Sequence, residues 1–388
     1  MHNKAKLLMI SYSSFLQKYY QTLPCEIKKQ TDWNVKVLVP AFWKEKWSGG
    51  KIFLEKDRDD FYDIIIGKIL YPGNLHFSIF LTQLKNLLKN FQPDIIDLED
   101  EPFNLGSYQI VNYRNRYASK SKIVLHASQN KLKHYPPPFN FIEKYVLRRV
   151  DAILARNQMA INVLKQKGYQ GLLFRVTHGV DTHAFHPREQ PNLCHKLNPE
   201  RKLIIGFVGA LVEHKGVHHL IEALEGIDCK LILVGNGRFK ENLQQLSKLK
   251  GVDTEFILSA SHLEVAHYMN CMDIFVLPSL THPKLVEKFG RVLIEAMASG
   301  IPIIGSDSGE IPIVIGNAGL IFKEGDVSDL HNKILTLMKN SEQRSKLGQL
   351  ARSRAQNLYS WNKIAKQTIE VYHKLLGNTA EISTSSNM

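Results

Sequence analysis

Two carboxylates, Glu287 and Glu295, stand eight positions apart in the stretch KLVEKFGRVLIEAMASGIPIIGSDSGEIP, residues 284–312. Gly290 lies between them, and a Gly-Glu-Ile-Pro turn follows at 309–312. An apolar run, DIFVLPS at 273–279, comes before. The pattern predicts strand, loop, helix, strand and turn. From Gly290 onward Val292, Leu293, Ala296 and Met297 recur at helical spacing, so one face of the helix is buried. Its first-turn N–H groups form an anion site, and Gly290 lets a ligand approach the backbone closely. Glu287 precedes that end, and Glu295 stands about 7–8 Å further along at ~1.5 Å per residue. Two carboxylates would repel a diphosphate, so their chemistry must be to accept hydroxyls of the sugars on either side of it. The helix end and basic side chains then carry the phosphate charge.

A second basic element supports this. In GALVEHKGVHHLIEAL, 209–224, Lys215-Gly216 sits just before a helix, where an ammonium neutralises a diphosphate as a point charge. The same loop carries His214, His218 and His219, whose spacing suits two imidazoles on one helix face. No HExxH pattern accompanies them, and a solvated or capping role is the expectation, with no metal site. GNGR at 235–238 is a strand-to-helix turn, not GxGxxG, which argues against a dinucleotide dehydrogenase.

With FG at 289–290, EAMASG at 295–300 and SDSGEIP at 306–312, the stretch resembles the donor-site signature of the retaining glycosyltransferases of family 4. The resemblance runs through both halves of the chain. It implies the GT-B fold, two Rossmann-like doubly wound parallel-sheet α/β domains facing across a cleft, and transfer from a nucleotide-sugar to a saccharide or lipid-linked acceptor. It implies a donor site of Glu287, Phe289, Gly290, Arg291, Val292, Glu295, Lys215, Gly209, Ala210 and Gly235, with Leu258 and Ser259 after FILSAS bordering the base. UDP, GDP and ADP all remain open. Relatives place an Arg after the glycine where this chain has Ala210, so half of an Arg and Lys clamp is missing unless Arg291 or Arg238 replaces it. The catalytic residues implied are His126, Glu287 and Lys215. On the acceptor side stand Ser13 and Ser14 in SYSSF, where relatives have a glycine-rich loop, with Glu99 and Glu101, and Asn130 and Tyr135 in QNKLKHYPPPF. No cofactor or metal is expected, since no DxD motif marks the donor site. Two alternatives share the fold: a degenerate nucleotide-sugar-binding protein, suggested by Ala210, and a nucleotide-sugar epimerase, against which the paired glutamates speak.

Length and charge bound these readings. The 388 residues suit two domains, and 44% hydrophobic content suits full cores. The net charge of +13 is uneven: residues 1–190 hold 28 Lys and Arg against 17 Asp and Glu, the remainder 22 against 20. A basic first half points to an anionic partner. No nucleic-acid-binding signature is visible, whereas a membrane surface or phosphate-bearing acceptor fits. Trp43, Trp47 and Phe53 among lysines at 41–53 suit a membrane interface. No apolar run is long enough to span a bilayer. LLMIS at 7–11 reads as a first strand rather than a leader, so the expected location is cytoplasmic, peripheral at the inner face of the membrane. Cys25, Cys194, Cys229 and Cys271 show no CxxC spacing, and reduced thiols are expected.

These side chains need a scaffold. A first strand with its loop at 6–15, strands at 34–40 and 122–128, and a buried strand running into an acidic loop at 93–102 alternate with helices, and a second series opens at 202–211. The expected division is 1–190 for acceptor, 188–200 as linker, 200–358 for nucleotide-sugar, a terminal helix 359–377 crossing back to the first domain, and a disordered tail 378–388.

Overall fold

The computed structural model describes residues 4–44, 50–55, 62–282 and 285–377. Trp47, Lys284 and the 378–388 tail lie outside them. The chain divides into two units, residues 1–178 with 361–388, and residues 179–360.

Unit 1 is built on seven parallel strands. Their spatial order is Leu172–Arg175, Ala152–Ala155, Lys122–Ala127, Ile95–Glu99, Lys6–Ser11, Asn34–Pro40 and Asp63–Gly67. The central strands are apolar on both faces, as a sheet covered by helices requires: Leu7, Leu8, Met9 and Ile10 are all fully buried. From Lys6–Ser11 the chain winds first to one side and then to the other. The switch point therefore falls between Lys6–Ser11 and Ile95–Glu99, where open α/β sheets leave a crevice beyond the strands' carboxyl ends.

Two antiparallel hairpins form separate two-stranded sheets beside it: Phe42–Lys44 with Lys51–Phe53, and Ile69–Leu70 with Ile79–Phe80. The first falls within the 41–53 stretch expected at a membrane interface. Trp43 is 8% exposed and belongs to the core of unit 1, so it is not a membrane-inserting side chain.

Unit 2 holds six parallel strands ordered Thr254–Ile257, Cys229–Val234, Leu203–Val208, Ile274–Leu277, Ile303–Ser306 and Gly319–Phe322. Its switch point lies between Leu203–Val208 and Ile274–Leu277. The stretch 188–200 is no linker: Pro191–Leu197 is a helix within unit 2, begun by proline at its first turn. Cys194 on that helix is disulfide-bonded to Cys271, which corrects the expectation of free thiols there. Pairing across 77 residues leaves no local spacing signature, so CxxC counting could not find it. Cys25 and Cys229 stand outside this disulfide, Cys229 buried. Among the described residues no helix is long and apolar enough to cross a membrane.

The helix Trp361–Leu375 belongs to unit 1. Trp361, Ile364, Ala365, Ile369, Val371 and Tyr372 bury one stripe of it in that unit's core. Tyr372 also carries a polar link. Its hydroxyl donates to Asp97 Oδ2 at 2.5 Å, and the same oxygen lies 2.8 Å from His126 Nε2. All three side chains are buried, Asp97 and Tyr372 completely. A buried carboxylate is costly without donors, so these contacts hold both Asp97 and the ring of His126. Burial, then the Asp97 charge, pushes the Tyr372 phenol far above its ordinary pKa and keeps it a donor. Tyr372→Phe should therefore lower unfolding stability by about 1–3 kcal/mol in denaturant titration, the cost of removing a partner from a buried charge. An unchanged midpoint would show that the link is energetically idle.

Candidate functional site

The unit 2 site assembles at the switch point. The loop after Leu203–Val208 turns through Gly209 and Ala210 and reaches a short 3-10 turn, Glu213–Lys215. Gly216 follows at φ 67°, and a Cβ there would fall 1.9 Å from the carbonyl oxygen of Pro278. Only glycine allows that approach, which packs the Lys215 loop against the end of Ile274–Leu277. The Leu280 N–H donates to the His214 carbonyl at 2.8 Å and completes the join.

Across this join Lys215 Nζ meets Glu287 Oε2 at 2.5 Å, and Ser279 Oγ donates to the same oxygen at 3.2 Å. The Glu287 carboxyl is largely buried, with 13% side-chain exposure. Burial, the largest influence, raises its pKa. The Lys215 ammonium, helped by Ser279 and the Gly290 N–H, outweighs burial and holds it below the ordinary glutamate value. The backbone of Glu287 is fixed as well. Gly309, at φ 59°, lies so close to the Glu287 carbonyl oxygen that a Cβ would stand 2.2 Å from it, and the Glu310 N–H donates to that oxygen at 3.2 Å. The Gly-Glu-Ile-Pro turn thus clamps the loop that presents Glu287.

Gly290, at φ 73°, begins the helix Arg291–Ala298. Leu293, Ala296 and Met297 are fully buried and Val292 partly so, as the spacing predicts; Ile294 and Ala298 are buried too, so the helix sinks deeper than one stripe. Glu295 is 7% exposed, with its Oε1 3.2 Å from His262 Nε2. His262 opens the helix His262–Met269, which follows Leu258 and Ser259. This pairing has no sequence signature, since 33 positions separate the two residues. Phe289 is buried against Tyr359, with ring centroids 5.8 Å apart, and serves as packing.

Gly235 brings a second loop alongside the first. A Cβ there would lie 1.9 Å from the Gly209 carbonyl oxygen, and the Leu211 N–H donates to Asn236 at 2.9 Å. Arg238 is carried next to His214. Burial, the Lys215 charge and the charges of His282 and Arg238 depress the His214 pKa, against an upward pull from Glu287. Arg238 therefore adds positive charge on the side where Ala210 supplies none. His218 and His219 are in mutual ring contact at 4.1 Å, and among the described residues no group of three His, Cys, Asp or Glu side chains is placed to hold a metal.

Unit 1 has its own polar cavity, about 220 Å³, at its switch point. Ser13, Ser14, Glu99, Glu101 and His126, singled out from sequence, all line it. Asn130 and Tyr135 are not in its lining; the Tyr135 ring is stacked on Phe103 at 4.1 Å, with Lys167 Nζ 4.9 Å from its centroid. The sequence reading passed over Arg156, Asn104 and His178, which also line it. Arg156 is 3.4 Å from Glu99 Oε1, and Ser128 gives Glu101 Oε1 two hydrogen bonds, at 2.9 and 2.8 Å. The other oxygens, Glu99 Oε2 and Glu101 Oε2, are shielded from solvent and have no hydrogen-bond partner among the described residues. Buried acceptors are rarely left bare, and two of them in a cavity wall suit a ligand rich in hydroxyl donors.

Asp100, in the same wall, is pushed up to about 7, chiefly by burial. Its Oδ2 lies 3.0 Å from Ser107 Oγ, which is also 2.8 Å from the Glu101 carbonyl. The Ser107 hydroxyl donates to both, its one proton shared between the Asp100 carboxyl and the Glu101 carbonyl. A carboxyl pKa raised on folding favours the native state fully below the unfolded value near 3.8, and this contribution is lost as pH rises toward about 7. Asp100→Asn should keep these contacts, be tolerated at pH 5, and be more stable than the parent above pH 7 in thermal unfolding. The same loss of stability between pH 4 and 7 in both proteins would remove Asp100 as its source.

Residues 192–354 match the family model described as "Glycosyl transferases group 1". Among curated proteins, the chain is 31% identical over 193 residues to the sulfoquinovosyl transferase SQD2 of Arabidopsis thaliana, covering 47% of this chain and 36% of that one. It is 30% identical over 257 residues to a GDP-mannose-dependent alpha-mannosyltransferase of Corynebacterium glutamicum, covering 64% and 59%. The chain spans about half the length of the curated relatives it matches. A sucrose-phosphate synthase structure from Thermosynechococcus elongatus superposes with a TM-score of 0.72 over 97% of this chain and 100% of that one; at 18% identity this likeness shows the fold alone. The stretch matched by that family model, residues 192–354, includes Lys215, Glu287 and Glu295.

Proposed function

We propose that this protein is a retaining glycosyltransferase in which unit 2 holds a nucleotide-sugar and unit 1 the acceptor. The observation that carries the proposal is the contact of Lys215 with Glu287 beside the Gly290 helix start. A cation and free N–H groups there suit a diphosphate, while a carboxylate held ionised by that cation has acceptor capacity for sugar hydroxyls. Glu295, with His262, is the corresponding group for the ribose. In the reaction the bond from the anomeric carbon to the diphosphate oxygen breaks and a bond to the acceptor hydroxyl forms on the same face. The hydroxyl proton passes to the leaving diphosphate. Charge grows on that diphosphate, so Lys215, Arg238 and the helix dipole are aimed where the transition state needs them. The reading calls on no metal. The basic first half suits an anionic membrane surface or a phosphate-bearing acceptor.

A second reading rests on Ala210, which leaves one cationic position of the family pattern empty: a protein that binds nucleotide-sugars without turning them over. UDP-, GDP- and ADP-hexoses should be screened for thermal stabilisation, and the one that binds tested for loss of its sugar with and without acceptor. Glu287→Gln should cut transfer by roughly 10²-fold or more, on the scale of losing one preorganised polar group, while the protein stays folded. Full transfer by that variant would end the assignment, and binding with no turnover by the parent would favour the second reading.

A further inference from the structure

The Cys194–Cys271 bond ties together two parts of unit 2 that are held very differently. Cys271 is 6% exposed and lies where the chain enters the sheet. Its neighbour Met272 fills the hollow over Gly206, where a Cβ would stand 2.0 Å from the Met272 Sδ. Asp273 Oδ2 then accepts the Ile204 N–H at 2.8 Å, and the strand Ile274–Leu277 follows. This end of the bond is fixed by packing and by the sheet. Cys194 is half-buried, on a seven-residue helix with no fully buried side chain. Pro191, Asn192, His195 and Lys196 of that helix face solvent. A helix so short is not stable by itself and keeps its place through tertiary ties.

Two of those ties meet at adjacent residues. The Arg188 N–H donates to Asn270 Oδ1 at 2.8 Å, and Cys194 is bonded to Cys271. Asn270 is the C-cap of the helix His262–Met269, and its Nδ2 donates to the Ala266 carbonyl at 2.8 Å. The other end of the same helix stands at the candidate donor site. A capping box of Ser261 and Glu264 fixes its first turn. There His262 sets its ring edge-on to Phe185, with centroids 4.9 Å apart, and its Nε2 3.2 Å from Glu295 Oε1. A helix of eight residues, about 12 Å at ~1.5 Å per residue, therefore runs from the disulfide to Glu295.

The bond is also within reach of solvent. A cavity of about 550 Å³ is lined by Arg188 and Glu189 on the side of Cys194 and by Asn270 and Met272, the two neighbours of Cys271. Opening of the short helix alone, without unfolding of the sheet, is enough to admit a thiolate to Cys194 Sγ.

We infer that Cys194–Cys271 is a thiol–disulfide exchange site whose oxidised form holds the helix His262–Met269, and with it the His262–Glu295 contact, in place. The reductant is a dithiol. One of its thiolates attacks Cys194 Sγ, the disulfide breaks, and Cys271 leaves as a thiolate that takes up a proton. The second thiol of the reagent then attacks the mixed disulfide, closing the reagent's own disulfide and releasing the Cys194 thiol. Two electrons and two protons pass to the protein. The inference rests on the transferase reading only in calling Glu295 part of a donor site.

The test compares the oxidised full chain with the same chain treated with dithiothreitol under native conditions. Alkylation read by peptide mass spectrometry should show Cys194 and Cys271 reduced while the protein stays folded. The unfolding temperature of unit 2 should fall by roughly 5–15 °C, the scale set by a crosslink spanning 77 residues. Amide hydrogen exchange should quicken at least tenfold over 191–197 and 262–269 and stay unchanged in the strand Ile274–Leu277 and the helix Val327–Lys339. Cys194→Ser should match the reduced parent and be indifferent to dithiothreitol. Whichever of UDP, GDP and ADP binds the oxidised protein should bind the reduced one at least fivefold more weakly, and glutathione disulfide should restore it. A bond that resists dithiothreitol until the protein unfolds, exchange that quickens uniformly or not at all over 262–269, or equal nucleotide affinity in the two states would overturn the inference. Failure of all three nucleotides to bind the oxidised chain would end the transferase reading instead, with the alkylation and exchange results still deciding the redox tie.

Discussion

The ion pair of Lys215 with Glu287 is the contact on which the candidate donor site depends. Each residue comes from a different loop at the switch point of the second sheet, and neither loop would hold its shape alone. Gly216 packs one loop on Pro278, and Gly309 packs the Glu-Ile-Pro turn on the carbonyl of Glu287. Both glycines have positive φ and both would clash through a Cβ, so the geometry is written in backbone approaches that no other residue permits. Lysine then does two things. It offsets the cost of a largely buried carboxylate, which burial alone would neutralise, and it presents positive charge beside the start of the Arg291 helix. An anion arriving there would compete with Glu287 for that ammonium, freeing carboxylate lone pairs for neighbouring hydroxyls.

Unit 1 follows the same architectural rule with different chemistry. Its switch point gathers Glu99, Asp100 and Glu101 beside Arg156, and two of the glutamate oxygens have no hydrogen-bond partner among the described residues. The helix Trp361–Leu375, last in the described chain, reaches this site indirectly by fixing Asp97, which fixes the His126 ring. The two short strand pairs border a larger pocket that adjoins it. The basic fold supplies the crevice; these additions set what can fill it.

Much of this was legible in the residues. The Asn34–Pro40 strand matches the NVKVLVP run residue for residue, because alternation and a closing proline are local signals. The Gly290 helix start was equally plain. Ser13, Ser14, Glu99, Glu101 and His126 share a cavity because strand ends in a parallel sheet converge, which topology alone foretells. What escaped has a common cause: it depends on partners far apart in sequence. The Cys194–Cys271 bond, the His262–Glu295 contact and the Tyr372–Asp97 link join residues 77, 33 and 275 positions apart. The helix at Pro191–Leu197 is short and buries no side chain fully, so it left no apolar period to read. The strands Phe42–Lys44 and Lys51–Phe53 have three residues each, too few to show alternation, and Trp43 faces the core rather than water.

The most direct measurement is a calorimetric titration of the parent and of Lys215→Met with the nucleoside diphosphate whose sugar form stabilises the protein. If Lys215 and the Gly290 helix start receive the diphosphate, the parent binds it, the affinity falls with added salt, and the variant binds at least tenfold more weakly while remaining folded. Equal affinity in the two proteins, with the same salt dependence, would contradict it and place the nucleotide elsewhere.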